Sequence, residues 1–166
     1  TTYINIAKEF VKSSDGDFII YGYSEELNKG ILFNDFLGRL PLYYYSDGFS
    51  LIFCSEQKGV IHNIPKIDIN LFEAVNYLMF EHTLGVNTMF NNVRRLLAGK
   101  ILSFDHNLRI HEDQSESISF EKNKTEKSKS KTIDHLAFLI NESIKNRVET
   151  LVSNEYKLIA DLSGGF

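Results

Sequence analysis

Ser163, Gly164 and Gly165, near the end of the sequence, have the composition of a loop that binds phosphate. Glycine has no side chain, so its backbone N–H groups can approach an anion closely, and the serine hydroxyl adds a donor. The short, mostly apolar run before them, residues 156–162, is typical of a strand buried in a parallel sheet. A strand that leads into a glycine-rich turn is typical of a nucleotide site. Ser-Gly-Gly also occurs in ordinary surface turns, so both interpretations stay open on these residues alone.

An amphipathic helix is predicted before this strand. Its apolar residues recur every three or four positions, and Thr132 and Asp134 lie at the N-terminal end, where the helix dipole favours them. The stripe consists of Ile133, Leu136, Ile140, Ile144, Val148 and Leu151. Residues 121–131 precede the helix and contain five Lys and two Glu but no apolar residue. Such a segment is typical of a solvated linker, although a basic run can also bind anions.

The first part of the sequence predicts hairpins. Residues 4–12 form a short helical stripe, and four antiparallel strands are predicted between Phe18 and Ser55, the second pair joined at Asp47-Gly48. A third hairpin is expected around residues 106–107. Between these hairpins we expect a helix capped by Asp68. The apolar stripe of this helix is Leu71, Val75, Leu78 and Met79.

Composition excludes several classes of protein. A net charge of -4 and a pI near 5.7 argue against a nucleic-acid surface. Cys54 is the single cysteine, so no internal disulfide can form, which fits a reducing compartment. No apolar run is long enough to cross a bilayer. The five histidines are scattered without ligand spacing, so no metal site is predicted. We therefore expect a cytoplasmic protein that binds neither nucleic acid nor membrane.

Five motifs, in the expected order, resemble the asparagine synthetase family. The segment LIADLSGGF at the end is similar to the family's pyrophosphate loop, L-S-G-G-x-D-S. The other four are SDGDF (14–18), NDFLGRLPLYYY (34–45), FCSEQKGV (53–60) and TMFNNVRRLLAGKIL (88–102). They resemble L-x-G-x-F, R-D-x-x-G-x-x-P-L-Y-Y, F-A-S-E-x-K-A-L and T-x-F-x-x-I-x-R-L-x-P-G of that family. Each motif is weak alone, but their order makes the resemblance specific.

The resemblance implies a division of the chain. Residues 1–120 would be the C-terminal part of a class II glutamine amidotransferase-like domain, 121–131 a linker, and 132–166 the beginning of an ATP-binding synthetase domain. The expected fold is α+β: a partial αββα sandwich of the N-terminal-nucleophile hydrolase type with antiparallel hairpins. A helix and the first strand of an α/β nucleotide-binding domain would follow.

The resemblance also implies an activity, that of a ligase which uses glutamine-derived ammonia to convert an acyl-adenylate into an amide. Its partners would be glutamine, ATP with Mg²⁺, and a carboxylate substrate such as aspartate. Asp15 matches the position that holds the amino group of glutamine, although an Asp there also suits a turn cap. ATP and its pyrophosphate would be bound by Leu162, Ser163, Gly164 and Gly165. Asp35 and Arg39, around Gly38, are expected to fix a turn.

Several residues depart from the family pattern. Asn34 replaces an Arg, and Cys54 stands where the family has Ala, so Cys54 is not the nucleophile, which the family carries at its mature N-terminus. Thr1 is expected to lie inside the amidotransferase domain. We therefore expect an internal fragment that is inactive alone. Its sheet edges and apolar surface would favour a homodimer or a partner fragment. A relative without glutaminase activity that closes an intramolecular amide, of the β-lactam synthetase or lasso-peptide cyclase type, and an inactive scaffold remain alternatives.

Overall fold

The computed structural model describes residues 2–115, 128–157 and 159, and the chain divides into two compact units, Thr1–Ser119 and Phe120–Phe166. The helices of the first unit are α1 (Thr2–Ser13), α2 (Gln57–Ile61) and α3 (Leu71–Phe80). Its strands are β1 (Ile19–Ser24), β2 (Lys29–Asn34), β3 (Leu42–Ser46), β4 (Leu51–Cys54), β5 (Val93–Leu96), β6 (Lys100–Asp105) and β7 (Ile110–Gln114). The second unit contains α4 (Lys129–Ser153).

The strands form two antiparallel sheets. One sheet has the order β1-β2-β6-β7 and the other has the order β4-β3-β5. All three predicted hairpins are confirmed: β1 with β2, β3 with β4, and β6 with β7. The first two hairpins belong to different sheets, because β2 pairs with β6 whereas β3 pairs with β5. The fold of this unit is therefore α+β with antiparallel sheets, as predicted.

Three apolar clusters arrange the first unit in four layers. Leu32 and Leu102 of the four-stranded sheet pack against Leu42, Tyr44 and Leu96 of the other sheet. Phe33, the next residue along β2, points to the opposite face of the sheet, because side chains alternate along a strand. Helix α1 covers that face. Helix α2 covers the outer face of the three-stranded sheet. The layer order is thus α1, sheet, sheet, α2.

The predicted helix over residues 4–12 is confirmed as α1, which buries Ala7 and Val11. The turn after it brings the chain to Phe18, whose ring packs edge-on against Phe10 and Phe33. This aromatic contact fixes the end of α1 over the four-stranded sheet. As a result, residues 14–17 are held close to the turn that follows β2.

Helix α3 exists where the sequence predicts it, but its cap and its buried face differ. Asn70, not Asp68, caps it, and the Asn70 side chain accepts a hydrogen bond from the Glu73 backbone. The predicted apolar stripe faces solvent: Leu71 is 76% exposed and Leu78 is 83% exposed. Glu73 and Asn76 are the buried residues of this helix. Hydrogen bonding of a buried carboxylate therefore decides the orientation of α3, and hydropathy does not.

Helix α4 begins four residues before the predicted stripe, because Ser128 caps it by accepting a hydrogen bond from the Lys131 backbone. The last residues of the predicted linker, Lys129–Lys131, thus belong to the helix. Its apolar stripe, from Ile133 to Leu151, is exposed within its unit. None of the helices in the described ranges is long and apolar enough to span a membrane.

Candidate functional site

Arg39 joins two turns of the first unit at the end of α1. Its Nε lies 2.8 Å from an Asp17 carboxylate oxygen and 3.3 Å from one of Asp35. A terminal nitrogen of its guanidinium donates to the Gly16 carbonyl at 2.7 Å and lies 4.0 Å from the Asp15 carboxylate. One planar fork therefore contacts both the 15–17 turn and the turn after β2, as only Arg can do. The prediction that Asp35 and Arg39 fix a turn is confirmed.

Asp35 is the buried anion of this cluster, with only 1% of its surface exposed. Its carboxylate accepts hydrogen bonds from the backbone N–H groups of Leu37 and Arg39 as well as from the Arg39 side chain. Burial raises the pKa of Asp35, but the hydrogen bonds from Arg39, Leu40 and Leu37 together lower it below the ordinary value. The carboxylate is therefore ionised at neutral pH and organises the turn.

Gly38 allows this turn to form. Its φ is +61°, which disfavours other residues, and a Cβ atom there would lie 3.1 Å from Cα of Ala98. The turn thus packs directly against the segment before β6. This explains the glycine of the NDFLGR motif by backbone geometry.

Asn34 is buried at the end of β2, in the place of the family's Arg. Its side-chain amide donates to the Leu40 carbonyl at 3.2 Å. Its Oδ1 atom has no hydrogen-bond partner among the described residues. Asn34 therefore ties the strand to the turn without adding a charge.

A cleft of about 220 Å³ lies beside Arg39 and contains the predicted glutamine-binding residue. Asp15 lies on the turn with its side chain 79% exposed and faces the Arg39 guanidinium. Cations and carboxylates thus share one open cleft, which suits a polar ligand that carries both charges. The geometry is compatible with both sequence interpretations of Asp15, so its role stays a prediction. The lining residues are Val11, Lys12, Ser14, Asp15, Gly16, Asp35, Phe36, Leu37 and Arg39.

The predicted ATP-binding residues Leu162, Ser163, Gly164 and Gly165 lie outside the described residues. The same holds for most of the predicted strand over residues 156–162. Within the part of the chain that the structure describes, no three His, Cys, Asp or Glu side chains are placed to hold a metal ion. The phosphate loop therefore stays a prediction.

Sequence reasoning missed two polar groups. Glu73, 2% exposed, accepts hydrogen bonds from Asn76, Asn87 and the Leu84 backbone, and so holds the loop after α3 in place. The only local signal for Glu73 in the sequence is that it follows Asn70 by three residues, which is the spacing of a capping box. Tyr44 hydrogen-bonds Glu112, which is 68 positions away. No local pattern predicts a contact of that range.

Comparison with known proteins agrees with the motifs. Residues 1–114 match the glutamine amidotransferase domain family. A protein of Methanocaldococcus jannaschii, whose name describes it provisionally as a glutamine-hydrolyzing asparagine synthetase, is 34% identical over 79 residues. That match covers 42% of this chain and 15% of the relative, so the chain spans only a small share of the relative's length. Since the family match includes both sheets and the Arg39 cluster, this chain belongs to the glutamine amidotransferase domain family.

Proposed function

We propose that this chain is part of an ATP-dependent ligase that forms an amide with ammonia released from glutamine. The observation that carries the proposal is the match of residues 1–114 to the glutamine amidotransferase domain family. The name of the archaeal relative supports the asparagine synthetase type. In this proposal residues 1–120 belong to the amidotransferase domain, the linker begins at residue 121 and ends where α4 begins at Lys129, and α4 opens the ATP-binding domain.

The layer order of the first unit supports the proposed fold type. Helix, sheet, sheet and helix follow one another, as expected for the sandwich of N-terminal-nucleophile hydrolases. Cys54 lies at the end of β4, and its side chain would clash with a Cβ atom at Gly59. Because the family pattern has Ala at this position, the proposed nucleophile is a residue other than Cys54, and we expect the isolated chain of 166 residues to release no glutamate.

In the proposed reaction Asp15 binds the ammonium group of glutamine in the Arg39 cleft. A carboxylate near a guanidinium suits a ligand with an ammonium group and a carboxylate. ATP with Mg²⁺ would activate the carboxylate substrate, which is aspartate or a related acid. Leu162, Ser163, Gly164 and Gly165 are proposed to hold the nucleotide, with the backbone N–H groups directed at its phosphates.

The test uses the complete open reading frame that contains this chain. Glutamate release from glutamine and ATP–pyrophosphate exchange are measured separately, because each reports one half of the proposed ligase. We expect Asp15→Asn to raise KM for glutamine about tenfold or more, since it removes a charge-assisted hydrogen bond. The matched control is Asp113→Asn. Asp113 is on β7, and its carboxylate lies 4.0 Å from the Lys8 ammonium group on α1.

A second variant distinguishes the two proposed activities, glutamate release and ATP–pyrophosphate exchange. Gly165→Val is expected to abolish ATP–pyrophosphate exchange while glutamate release persists. Absence of glutamate release from the complete protein would contradict the amidotransferase proposal and favour an amide-closing relative or a scaffold. Equal behaviour of Asp15→Asn and Asp113→Asn would show that Asp15 only caps its turn.

A further inference from the structure

A second cleft, of about 320 Å³, opens at the rim between the two sheets, far in sequence from the Asp15 turn. It is formed where β3 and β5 face β7. Its base is Tyr44, which is 5% exposed and belongs to the apolar cluster between the sheets. The residues that line it are Tyr44, Ser46, Asn92, Arg94, Ile110 and Glu112. Five of these six side chains are polar, so water or a polar ligand occupies the space more readily than an apolar one.

Two opposite charges, those of Arg94 and Glu112, line this cleft, and both act on the Tyr44 hydroxyl. Arg94 lies beside Tyr44 on the paired strand β5, and Glu112 accepts a hydrogen bond from the Tyr44 hydroxyl at 2.7 Å. Among the ion pairs of the described residues, none within 4.0 Å includes Arg94 or Glu112. Neither side chain is thus engaged in a direct ion pair with the described residues; both interact with Tyr44, and each keeps further hydrogen-bonding capacity for a ligand.

The tyrosine positions the carboxylate. Burial raises the pKa of Tyr44 and the hydrogen bond to Glu112 raises it further, whereas Arg94 lowers it by less, so the pKa lies well above the ordinary value of a tyrosine. Tyr44 is thus protonated at neutral pH and can donate its hydroxyl hydrogen to Glu112. The bond leaves the second oxygen of Glu112 to accept from a ligand.

The lining of the cleft contains several hydrogen-bond donors. The Arg94 guanidinium has five N–H groups, and the Asn92 amide and the Ser46 hydroxyl also line the cleft. Within the described ranges, neither the Asn92 amide nor the Ser46 hydroxyl makes a hydrogen bond with another side chain or with the backbone. A carboxylate bound in this cleft has several hydrogen-bond donors among the lining residues.

We propose that this cleft binds the zwitterionic head of a free α-amino acid, with its carboxylate on Arg94 and its ammonium group on Glu112. A guanidinium recognises a carboxylate through two parallel hydrogen bonds, and a carboxylate accepts from an ammonium group. The volume lies at the lower end of the range for ligand sites, which suits a small amino acid. Ile110 offers an apolar wall to its side chain. The proposal does not depend on the proposed ligase activity.

The test titrates the chain with probes that separate the two charges. Glycine, L-asparagine and L-glutamine supply the zwitterion, acetate supplies the anion alone, and methylammonium supplies the cation alone. Binding is followed by NMR shifts of the backbone amides of β3 and β7. We expect saturable binding of at least one amino acid, about tenfold or more tighter than that of acetate or methylammonium, because only a zwitterion satisfies both charges.

Matched variants place the site. Arg94→Gln and Glu112→Gln are expected to weaken amino-acid binding about tenfold or more, whereas Arg95→Gln, the neighbouring exposed position on β5, changes it less than about twofold. Since all three side chains are exposed, the variants are expected to fold, and circular dichroism checks this. The proposal is overturned if no amino acid binds, if acetate binds as tightly as glycine, or if Arg95→Gln weakens binding as much as Arg94→Gln.

Discussion

Arg39 makes contacts that a lysine cannot reproduce. Its planar fork donates to the Gly16 carbonyl while the same side chain lies beside the carboxylates of Asp17 and Asp35. These partners come from two turns that are about twenty positions apart in sequence. Arg39 therefore joins these two turns directly, in addition to the aromatic contacts of Phe18.

Arg39→Lys is expected to lower the free energy of unfolding by about 1–2 kcal/mol, since a single ammonium group loses the shared hydrogen bonds but keeps the charge. Chemical denaturation measures this. Arg95→Lys is the control, because the Arg95 side chain is exposed on β5 and is expected to tolerate the change. A loss of stability as large in Arg95→Lys would mean that the effect is not specific to the fork.

Asp35 makes the stability of the first unit depend on pH in the acidic range. Its pKa is lower in the folded chain than the ordinary value of 3.8, because the hydrogen bonds from Arg39 and Leu37 outweigh the effect of burial. A lowered folded pKa stabilises the protein above the unfolded pKa, and this stability is lost as the pH falls through the folded pKa. The window for this group thus begins near pH 4 and extends below it.

Asp35→Asn is expected to remove this contribution, so the variant loses less stability than the wild type between pH 5 and about pH 2. At neutral pH the variant is less stable, because an amide accepts fewer of the hydrogen bonds. Urea denaturation at a series of pH values measures both effects. Asp17→Asn, whose side chain is half exposed, serves for comparison. Parallel pH profiles of wild type and Asp35→Asn would refute this assignment.

The hairpins were predictable because their signals are local. Aromatic and branched residues on both sides of a turn predict the pairs β1 with β2 and β3 with β4, and the turn at residues 106–107 predicts β6 with β7. Strand β5 was not predicted, because VRRL has a polar centre and pairs with β3 about fifty positions earlier. The face of α3 was predicted wrongly, since a buried Glu73 overrides the apolar pattern. The motif SDGDF predicts the Asp15 turn. The contacts of Arg39 with this turn could not be predicted, because the fold brings together residues that are far apart in sequence.

Gly30 of β2 lies opposite Phe104 of β6, and this pair decides how closely the two strands approach. A Cβ atom at Gly30 would overlap with the ring of Phe104, which is itself buried. We expect Gly30→Ala to destabilise the unit by about 1–3 kcal/mol through overpacking. Phe104→Leu in the same chain is expected to recover part of this loss, and thermal unfolding of the four proteins in the cycle measures the coupling. Additive losses would exclude the contact as the cause.

Helix α3 supplies an unusual comparison, because its buried position is charged and its apolar positions are exposed. Leu78→Glu is expected to change the free energy of unfolding by less than about 0.5 kcal/mol, since Leu78 is 83% exposed. Glu73→Ala is expected to be clearly destabilising, because Asn76, Asn87 and the Leu84 backbone would lose their acceptor. Denaturation of both variants at neutral pH decides this. A larger loss in Leu78→Glu than in Glu73→Ala would contradict the observed orientation.

The molecule is organised as two units that differ in what holds them together. The first buries its apolar side chains in three clusters that join helices and both sheets. The described part of the second consists mainly of the helix α4, whose apolar residues are exposed. A single amphipathic helix depends on tertiary packing for most of its stability. The two units are therefore expected to differ in their resistance to proteases.

Limited digestion with trypsin tests this organisation. The sequence predicts a solvated connection over residues 121–131, and its first lysines are Lys122, Lys124 and Lys127. Trypsin is expected to cut there first, because proteases need an accessible, locally unfolded backbone. Lys29 and Lys100 lie in paired strands and are expected to be protected. Mass spectrometry would then identify a persistent fragment that begins at residue 1 and ends between residues 122 and 127.

A matched variant distinguishes cleavage in the predicted linker from cleavage at other accessible lysines. Replacing Lys122, Lys124 and Lys127 by Gln removes these sites without altering the first unit, so the digestion is expected to slow down markedly and to shift to lysines of α4. The persistent fragment should keep the near-ultraviolet dichroism of its tyrosines, because the three clusters lie wholly within it. Cleavage that begins at Lys29 or Lys100 instead would mean that the sandwich opens before the connection does. The proposed boundary after residue 120 would then be wrong.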